Sequence, residues 1–523
     1  MAPRPRLPAL LAPARHLHAS ACARHRPPPL PTTVAASLSA ASSSTGPAPD
    51  TLSGWVRSVR RQKNVSFAVL SDGTQVGGVQ VVLPKGLDEG LTVGSSASLR
   101  GAWVDSRGQG QAKEFKVDEV SWVGESDAET YPMPNTKQGI PLPVMRRNAH
   151  LRPRKDGPAA MLRVRSEMNW ALSDHFRREG FVRVEMPIIT SSDCEGAGEV
   201  FRVVEGAPEL PAPASTAPPP ASTTNSPKPA PPPAPSRYLT VSTQLHLEAI
   251  TSSLPRAYTF APCFRAEKSD TSRHLQEFWM LEAEAAFLDA DVPTALDQVM
   301  HIAESTVRAI AAHVRALPDV EKHFAVQSPA LEAQYDALLA PQAYPRLSYA
   351  HAVELLQKHE AAHPGAFAFA PVWGAGLQTE HERWLAEEHV RGPLFVTDYP
   401  SQLKPFYMLA NDAPSSVGDG GGGEAVGAGR QTTACFDLLV PGLGELAGGS
   451  LREHRRERLV AAMEAHGLDH DGAYGWYVDL RRYGTTRHGG FGLGWERLVG
   501  LLTGEGNVRE CTAFPRAAEG SRF

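Results

Sequence analysis

The stretch FRAEKSDTSRHLQEFWMLE, from Phe264 to Glu282, combines cations, carboxylates and an aromatic ring in the pattern of two strands and a loop. Alternation along a strand places Arg265 and Glu267 on one face. Beyond a polar break, a second alternating run places four side chains on one face, namely Phe278, Met280, Glu282 and Glu284. We therefore predict a β-hairpin with one face that carries a guanidinium, a ring and carboxylates.

These side-chain types suit a nucleotide and an amine. A guanidinium can bind a phosphate through two hydrogen bonds, an aromatic ring can carry a purine, and a carboxylate can bind a metal or an amine. Because burial of an unpaired charge is costly, a row of charges on a β-forming segment indicates a polar ligand. The alternative is a solvated strand face with Arg–Glu pairs between the strands.

Two glycine-rich segments near the C-terminus could add phosphate and metal contacts. The run GGFGLGWERLVGLLTG predicts a strand and then a buried helix with Arg497 in its first turn, where it can face phosphate. Upstream, CFDLLVPGLGELAGGSLREHR places Asp437 and Glu445 before a glycine turn and Arg452 after it. Carboxylate oxygens are hard ligands that suit Mg²⁺. No GxxxxGK[ST] phosphate loop occurs in the sequence.

A β-rich region precedes these segments. From Gly54 onward, short strand-like runs separated by glycine and Asp-Gly turns predict a small closed barrel. Arg60 lies in a basic turn and Phe67 follows on a strand. A cation beside a ring suits a single-stranded base stacked on that ring, and an exposed basic turn without a ligand is the alternative.

An amphipathic helix, roughly Pro158 to Glu179, opens the second half of the chain and is closed by Gly180. The run FVRVEMP then predicts a strand that ends at Pro187. In the next loop Glu195 lies among glycines, where its carboxylate could approach the ammonium group of a small ligand or be solvated in a tight turn.

Composition limits the possible classes of protein. The chain has 523 residues, of which 42% are hydrophobic and 21% charged, which is enough for more than one domain. No apolar run approaches the roughly 18 residues that a membrane helix needs. The five cysteines lie far apart and argue against structural zinc and a disulfide framework. The formal net charge of −5 means that any RNA contact must use local basic patches.

Three segments resemble the signature motifs of class II aminoacyl-tRNA synthetases. The helix and strand that end at Pro187 resemble motif 1, FRAE…HLQEF resembles motif 2, and GLGWER resembles motif 3. Further blocks, among them SSDCEGAGEVF, TVSTQLHLE, EHERWLAEEHV and NVRECTAFPR, resemble the asparaginyl branch of the aspartyl, asparaginyl and lysyl subgroup. The resemblance implies an α+β fold, with an OB-fold β-barrel followed by a catalytic domain built on an antiparallel sheet flanked by helices.

The resemblance also implies a role for each matching residue. The residues implied to bind ATP are Arg265, Glu267, His274, Phe278, Glu445 and Arg497. The implied catalytic residues among them are Arg265, Glu267 and Arg497. The amino acid is implied to contact Glu195, Gln244 and Arg452. The implied Mg²⁺ ligands are Asp437 and Glu445. The residues implied to read the anticodon are Arg60, Phe67 and Gln80.

The reaction that the resemblance implies is ATP-dependent ligation of asparagine to its tRNA through asparaginyl-adenylate, with Mg²⁺. An aspartyl-tRNA synthetase is one alternative, but that enzyme carries a lysine where Leu247 stands here. A cation lost from the pocket leaves a bound carboxylate poorly neutralised. The other alternative is an inactive synthetase-like RNA-binding module, which substituted motif arginines would signal. Arg265 and Arg497 are both present and favour an active ligase.

The chain is expected to divide into four parts. These are a disordered import leader over 1–49, the barrel over 50–125, a hinge over 126–157 and the catalytic domain over 158–523, with low-complexity insertions at 207–236 and 413–430. The leader is rich in Arg and Ser and free of acids, which indicates an organellar import segment, and a disordered tail is the alternative. The mitochondrial matrix is the expected destination in preference to a plastid. The subgroup implies a homodimer formed through motif 1, with no membrane contact.

Overall fold

The structure is a computed structural model. It describes residues 30–43, 48–108, 110–135, 139–191, 200–204, 237–267, 271–412 and 430–517. Glu195, the insertion at 207–236 and all but the last residue of the insertion at 413–430 lie outside the described residues, as does most of the expected leader.

Five strands close into the predicted barrel, in the order β1-β2-β3-β5-β4. They are β1 Ala48–Arg61, β2 Val65–Ser71, β3 Val79–Pro84, β4 Ser96–Asp105 and β5 Lys113–Gly124. Side chains alternate between the interior and the surface, so that Ala68 and Leu70 are buried while Phe67 faces outward. Trp103 packs edge-on against Phe115 in the interior.

A helix within the expected leader packs against the barrel, so the prediction of a disordered segment over 1–49 is wrong for this part. The helix, α1, spans Val34–Ser42. Asp72 accepts a hydrogen bond from the amide of Val34 at 2.8 Å, and the indole of Trp103 donates to Ser37 at 2.8 Å. Val34 is fully buried. These contacts make α1 part of the folded barrel unit.

Two helices connect the barrel to the catalytic domain, α2 Leu142–Arg147 and α3 Asp156–Arg178. α3 is the predicted motif 1 helix. It is followed by Gly180, whose φ of 76° lies in the left-handed region that favours glycine. The strand predicted to reach Pro187 is shorter, because only Val182 and Arg183 pair with a neighbouring strand.

An eight-stranded sheet forms the centre of the catalytic domain, in the order β12-β13-β14-β15-β16-β11-β10-β6, and β7, β8 and β9 form a smaller sheet. The strands are β6 Val182–Arg183, β7 Ile189–Thr190, β8 Arg202–Val203, β9 Arg237–Leu239, β10 Arg256–Phe264, β11 Glu277–Ala286, β12 Arg346–Ser348, β13 Leu394–Thr397, β14 Cys435–Val440, β15 Gly444–Leu451 and β16 His488–Gly494. The large sheet is antiparallel, as expected, except for the parallel pairs β6–β10 and β12–β13.

Helices flank this sheet. They are α4 Gln244–Thr251, α5 Val292–Arg315, α6 Ala325–Gln327, α7 Leu331–Leu338, α8 Tyr349–Ala362, α9 Thr379–Trp384, α10 Arg456–Ala465, α11 Gly475–Arg482 and α12 Trp495–Thr503. α5 buries a stripe of apolar side chains with helical spacing, among them Val299, Ala303 and Val307, in one core with α3 and the sheet. Among the described residues, no helix has the length and apolarity to span a membrane.

Candidate active site

β10 and β11 form the predicted hairpin, in which Phe264 pairs with Glu277. β10 ends at Phe264, so the prediction that the strand continues through Arg265 and Glu267 is wrong, although both side chains line one cavity. The amide of Arg265 donates to the carbonyl oxygen of Gln276 at 3.0 Å, which closes the base of the loop. The prediction for the second strand is confirmed, since its four side chains line two adjoining cavities of one cleft.

The first cavity, which we name the nucleotide half of the cleft, has a volume of about 750 Å³. All six side chains expected at ATP line it, namely Arg265, Glu267, His274, Phe278, Glu445 and Arg497. The guanidinium carbon of Arg265 lies 5.3 Å from the ring centroid of Phe278, so a cation and an aromatic face meet at one wall. The pairing of β11 with β16 brings together residues that are more than 200 positions apart in the sequence.

Arg497 extends from the first turn of α12, as predicted. Its Nη1 donates to the carbonyl oxygen of Glu445 at 3.0 Å and lies 3.8 Å from the carboxylate of the same residue. The side chain remains 30% exposed, so it is accessible to a phosphate. On the hairpin loop, His274 Nε2 lies 3.7 Å from Glu267 Oε2.

Glu496, which sequence reasoning did not single out, fixes the hairpin to α12. Its carboxylate accepts a hydrogen bond from the amide of Trp279 at 3.0 Å and another from Arg165 on α3 at 2.7 Å. The side chain is buried. Its position between Trp495 and Arg497 in motif 3 was the available signal.

Two carboxylates expected to hold Mg²⁺ lie close together, Asp437 on β14 and Glu445 on β15. A Cβ at Gly448 would lie 3.3 Å from Asp437 Oδ1 and 3.4 Å from Glu445 Oε1, so bare backbone separates the two groups. Gly448 lies within β15, and the predicted glycine turn at this point is therefore wrong. Burial and the charge of Asp437 raise the pKa of Glu445. A pair of hard oxygen donors fits Mg²⁺.

Lys404 alters the expected metal site. Its Nζ donates to both carboxylate oxygens of Asp437, at 3.0 and 2.9 Å. Glu445 is therefore the more available of the two candidate ligands.

Glu382 on α9 is a third carboxylate at this site. Its Oε2 accepts a hydrogen bond from the amide of Glu445 at 3.3 Å. Burial, together with the charges of Glu445 and Asp437, raises the pKa of Glu382 to about 7. The resemblance to the synthetases includes the block around this residue, EHERWLAEEHV, but implies no role for Glu382.

The second cavity, the amino-acid half of the cleft, has a volume of about 910 Å³, and Gln244, Leu247 and Arg452 line it. Arg452 donates from Nε and Nη2 to the two oxygens of Glu284, at 3.1 and 2.9 Å. The side chains are 3% and 1% exposed. A Cβ at Gly490 would lie 2.1 Å from the Glu284 carboxylate, so glycine is needed there to leave room for this ion pair.

A buried network that sequence reasoning missed lies behind Arg452 and centres on Glu248 of α4. Its carboxylate accepts from Tyr477 and Arg481, each at 2.8 Å, from Gln244 at 3.1 Å, and faces His488 Nε2 at 3.1 Å. Burial opposes ionisation of Glu248, but the charge of Arg481 and the contact with His488 outweigh it and lower its pKa. The available signal was the i, i+4 spacing of Gln244 and Glu248 on a helix.

Glu248, Glu284 and His488 could also be taken for a metal site, because one ligand atom of each lies within 4.8 Å of the others. Arg452 and Arg481 already offset the two carboxylates through charge-assisted hydrogen bonds. Cations in these positions repel a metal ion. The network is therefore an ion-pair cluster.

The barrel places the three predicted anticodon-reading residues on its outer surface. Arg60 and Phe67 are cross-strand partners, and the guanidinium carbon lies 5.0 Å from the ring centroid. Gln80 projects from the adjacent strand and donates from Nε2 to Glu114 at 3.1 Å. An aromatic ring, a cation and an oriented amide on neighbouring strands suit stacked, single-stranded bases.

Comparison with known families matches both domains. Residues 143–518 match the tRNA synthetases class II (D, K and N), and residues 51–123 match the OB-fold nucleic acid binding domain.

Individual relatives agree with these matches. The chain is 40% identical over 477 residues to the asparagine–tRNA ligase of Oleidesulfovibrio alaskensis, covering 90% of this chain and 95% of the relative. It is 38% identical over 470 residues to the asparaginyl-tRNA synthetase of Mus musculus, covering 89% of each chain.

A solved structure, asparaginyl-tRNA synthetase from Pyrococcus horikoshii complexed with asparaginyl-adenylate, superposes with a TM-score of 0.73 at 28% identity, covering 90% of this chain and 95% of that one. The chain therefore belongs to the class II tRNA synthetases of the D, K and N group and, within that group, to the asparagine–tRNA ligases.

Proposed function

We propose that this protein forms asparaginyl-adenylate from ATP and asparagine and transfers the asparaginyl group to a tRNA, for protein synthesis in an organelle. One observation carries the chemical part of the proposal: Arg265 lines both halves of the cleft. A nucleotide in one half and an amino acid in the other would meet at this guanidinium. The α-phosphate and the attacking carboxylate would then share one positive charge.

The proposed mechanism relies on position and charge. The nucleophile is the carboxylate of the amino acid, which attacks the α-phosphate and expels pyrophosphate, so no nucleophilic side chain is required. Arg265 and Arg497 offset the negative charge that develops on the transferred and leaving groups. Phe278, whose ring centroid lies 5.3 Å from the guanidinium carbon of Arg265, offers its ring to the adenine.

Glu445, with Asp437 beside it, would hold Mg²⁺ in this reaction. The ion would offset charge on the phosphates of ATP. Lys404 keeps the Asp437 carboxylate oriented on β14.

Asparagine is the proposed substrate in preference to aspartate. Leu247 is an apolar wall residue of the amino-acid half, and the guanidinium of Arg452 already bonds to a carboxylate. ATP–pyrophosphate exchange with purified protein tests the substrate: exchange should require asparagine. Exchange that prefers aspartate would contradict the substrate, and exchange with neither would favour an RNA-binding module.

We propose that the protein is a homodimer formed through motif 1. Trp170 on α3 is 69% exposed, and Val182, Ile188 and Ile189, which follow α3, are exposed as well. Exposed apolar side chains on the motif 1 helix and in the segment after it favour a second copy as their cover. Light scattering should give twice the mass of one chain, and Trp170→Asp should halve it; a wild-type monomer contradicts the proposal.

Mitochondrial import through a leader is the third part of the proposal. All five arginines of the first 49 residues precede Thr33, which caps α1. We therefore place the removable leader before Thr33. A fluorescent protein fused to residues 1–32 should enter mitochondria, and the chain lacking these residues should not. Import of the truncated chain would contradict this.

A further inference from the structure

A buried carboxylate, Glu248, lies behind the amino-acid half of the cleft. Glu248 lies outside the lining of the cavity, and it and its partner Arg481 are fully buried. It nevertheless contacts two residues that do line the cavity, Gln244 and Arg452. Glu248 can therefore act on the substrate through these two side chains.

The contact with Arg452 places a second negative charge near the guanidinium of Arg452. One Glu248 oxygen lies 3.8 Å from Arg452 Nε, while Glu284 forms two shorter hydrogen bonds to the same guanidinium. Two carboxylates thus face the guanidinium of Arg452. A cation offset in this way has little attraction left for a third carboxylate, whereas it can still donate a hydrogen bond to a neutral carbonyl oxygen.

The contact with Gln244 fixes the orientation of the Gln244 side-chain amide. Since Gln244 Nε2 donates to Glu248, the amide presents its carbonyl oxygen as an acceptor elsewhere. An acceptor suits the N–H groups of an amine or a carboxamide and disfavours a carboxylate.

We propose that Glu248, held in place by Arg481 and Tyr477, is a specificity-determining positioning residue that offsets Arg452 and so makes the pocket reject a carboxylate side chain in favour of a carboxamide. The proposal rests on the proposed function, because it assigns asparagine to this half of the cleft. It assigns to buried groups the discrimination between two substrates of nearly equal size.

Charge-changing variants of opposite sign test this role. Glu248→Gln removes a negative charge and should lower the ratio of kcat/KM for asparagine to that for aspartate by about 10- to 100-fold, mainly through a lower KM for aspartate. Arg481→Met removes a positive charge and should raise the ratio. The double variant, which restores the charge balance, should return the ratio towards wild type. Glu248→Asp, which keeps the charge, should hold it within about threefold of wild type.

A second buried carboxylate paired with arginines, Glu304 on α5, provides the control. Glu304 is paired with Arg308 and Arg346 and lines neither half of the cleft. Glu304→Gln should lower the thermal unfolding midpoint without changing the ratio.

The outcomes separate the two proposals. An unchanged ratio in Glu248→Gln and Arg481→Met, with both substrates slowed equally, means that the network is only structural and overturns the inference. If Glu248→Gln does not fold, a ratio in Arg481→Met that fails to rise has the same meaning. A wild-type protein that activates neither amino acid contradicts the proposed function instead.

Discussion

The two halves of the cleft hold their positive charges in different ways. Arg497 in the nucleotide half is 30% exposed and lies 3.8 Å from the carboxylate of Glu445. Arg452 in the amino-acid half is 3% exposed and is bonded to both oxygens of Glu284. An accessible cation can bind a triphosphate, whereas a cation offset by carboxylates suits a neutral side chain. The same residue type thus serves two chemistries, according to what surrounds it.

The largest expected effect comes from breaking the offset pair. Glu284→Gln leaves the buried guanidinium of Arg452 poorly compensated and should destabilise the catalytic domain by about 3–5 kcal/mol. Nearby Glu248 should keep the loss at the lower end of that range. Thermal unfolding measures this change, and a midpoint equal to wild type would show that the ion pair contributes nothing.

Removal of an accessible cation should affect catalysis and leave stability nearly unchanged. Arg497→Ala should slow adenylate formation by about 100- to 1,000-fold, because a donor to the leaving phosphates is lost. Single-turnover kinetics give the rate. Arg100→Ala, on the exposed surface of the barrel, is the control and should have the wild-type rate. Adenylate formation by Arg497→Ala at the native rate would contradict a role for Arg497 in binding the phosphates of ATP.

Glu382 differs from Glu284, because replacement of its carboxylate by a carboxamide should stabilise the protein and not destabilise it. Its pKa of about 7 in the folded state exceeds the ordinary value of 4.5, so between these pH values the unfolded state releases the proton first and stability falls as pH rises. Glu382→Gln should therefore raise stability by about 1–3 kcal/mol at pH 8 without Mg²⁺, and by much less at pH 5. Unfolding midpoints at the two pH values test this, and an equal difference at both is the contrary outcome.

A substitution on the barrel surface should impair aminoacylation of tRNA without changing adenylate formation in the cleft. Phe67→Ala should lower kcat/KM for tRNA aminoacylation by about tenfold, since one stacked base is lost. ATP–pyrophosphate exchange should stay unchanged. Reduced exchange would show that Phe67 affects adenylate formation as well as tRNA binding.

Local patterns predicted much of this molecule. Alternation predicted the face of β11 that lines the cleft, and Arg497 lies in the first turn of a buried helix as expected. The strand assignment failed at Arg265 and Glu267, because the point at which a strand ends depends on its partner strand. Likewise, α1 is too short to be identified without the barrel surface that buries Val34 and Ser37.

Contacts between distant residues could not be predicted in the same way. Glu248 meets Arg481 and His488 only because the sheet and α11 bring them together across more than 230 residues. Lys404 reaches Asp437 from a loop whose sequence gives no sign of this contact. Offset of charge is a property of such contacts, so composition identified the cations without indicating which of them are compensated.

The most direct test of asparagine activation is to identify the adenylate that the protein forms when asparagine and aspartate compete. Purified protein is mixed with ATP, Mg²⁺ and equal concentrations of asparagine and aspartate, without tRNA, and the retained product is identified by mass spectrometry. Asparaginyl-adenylate is expected in large excess. Predominant aspartyl-adenylate, or no adenylate at all, would contradict this expectation.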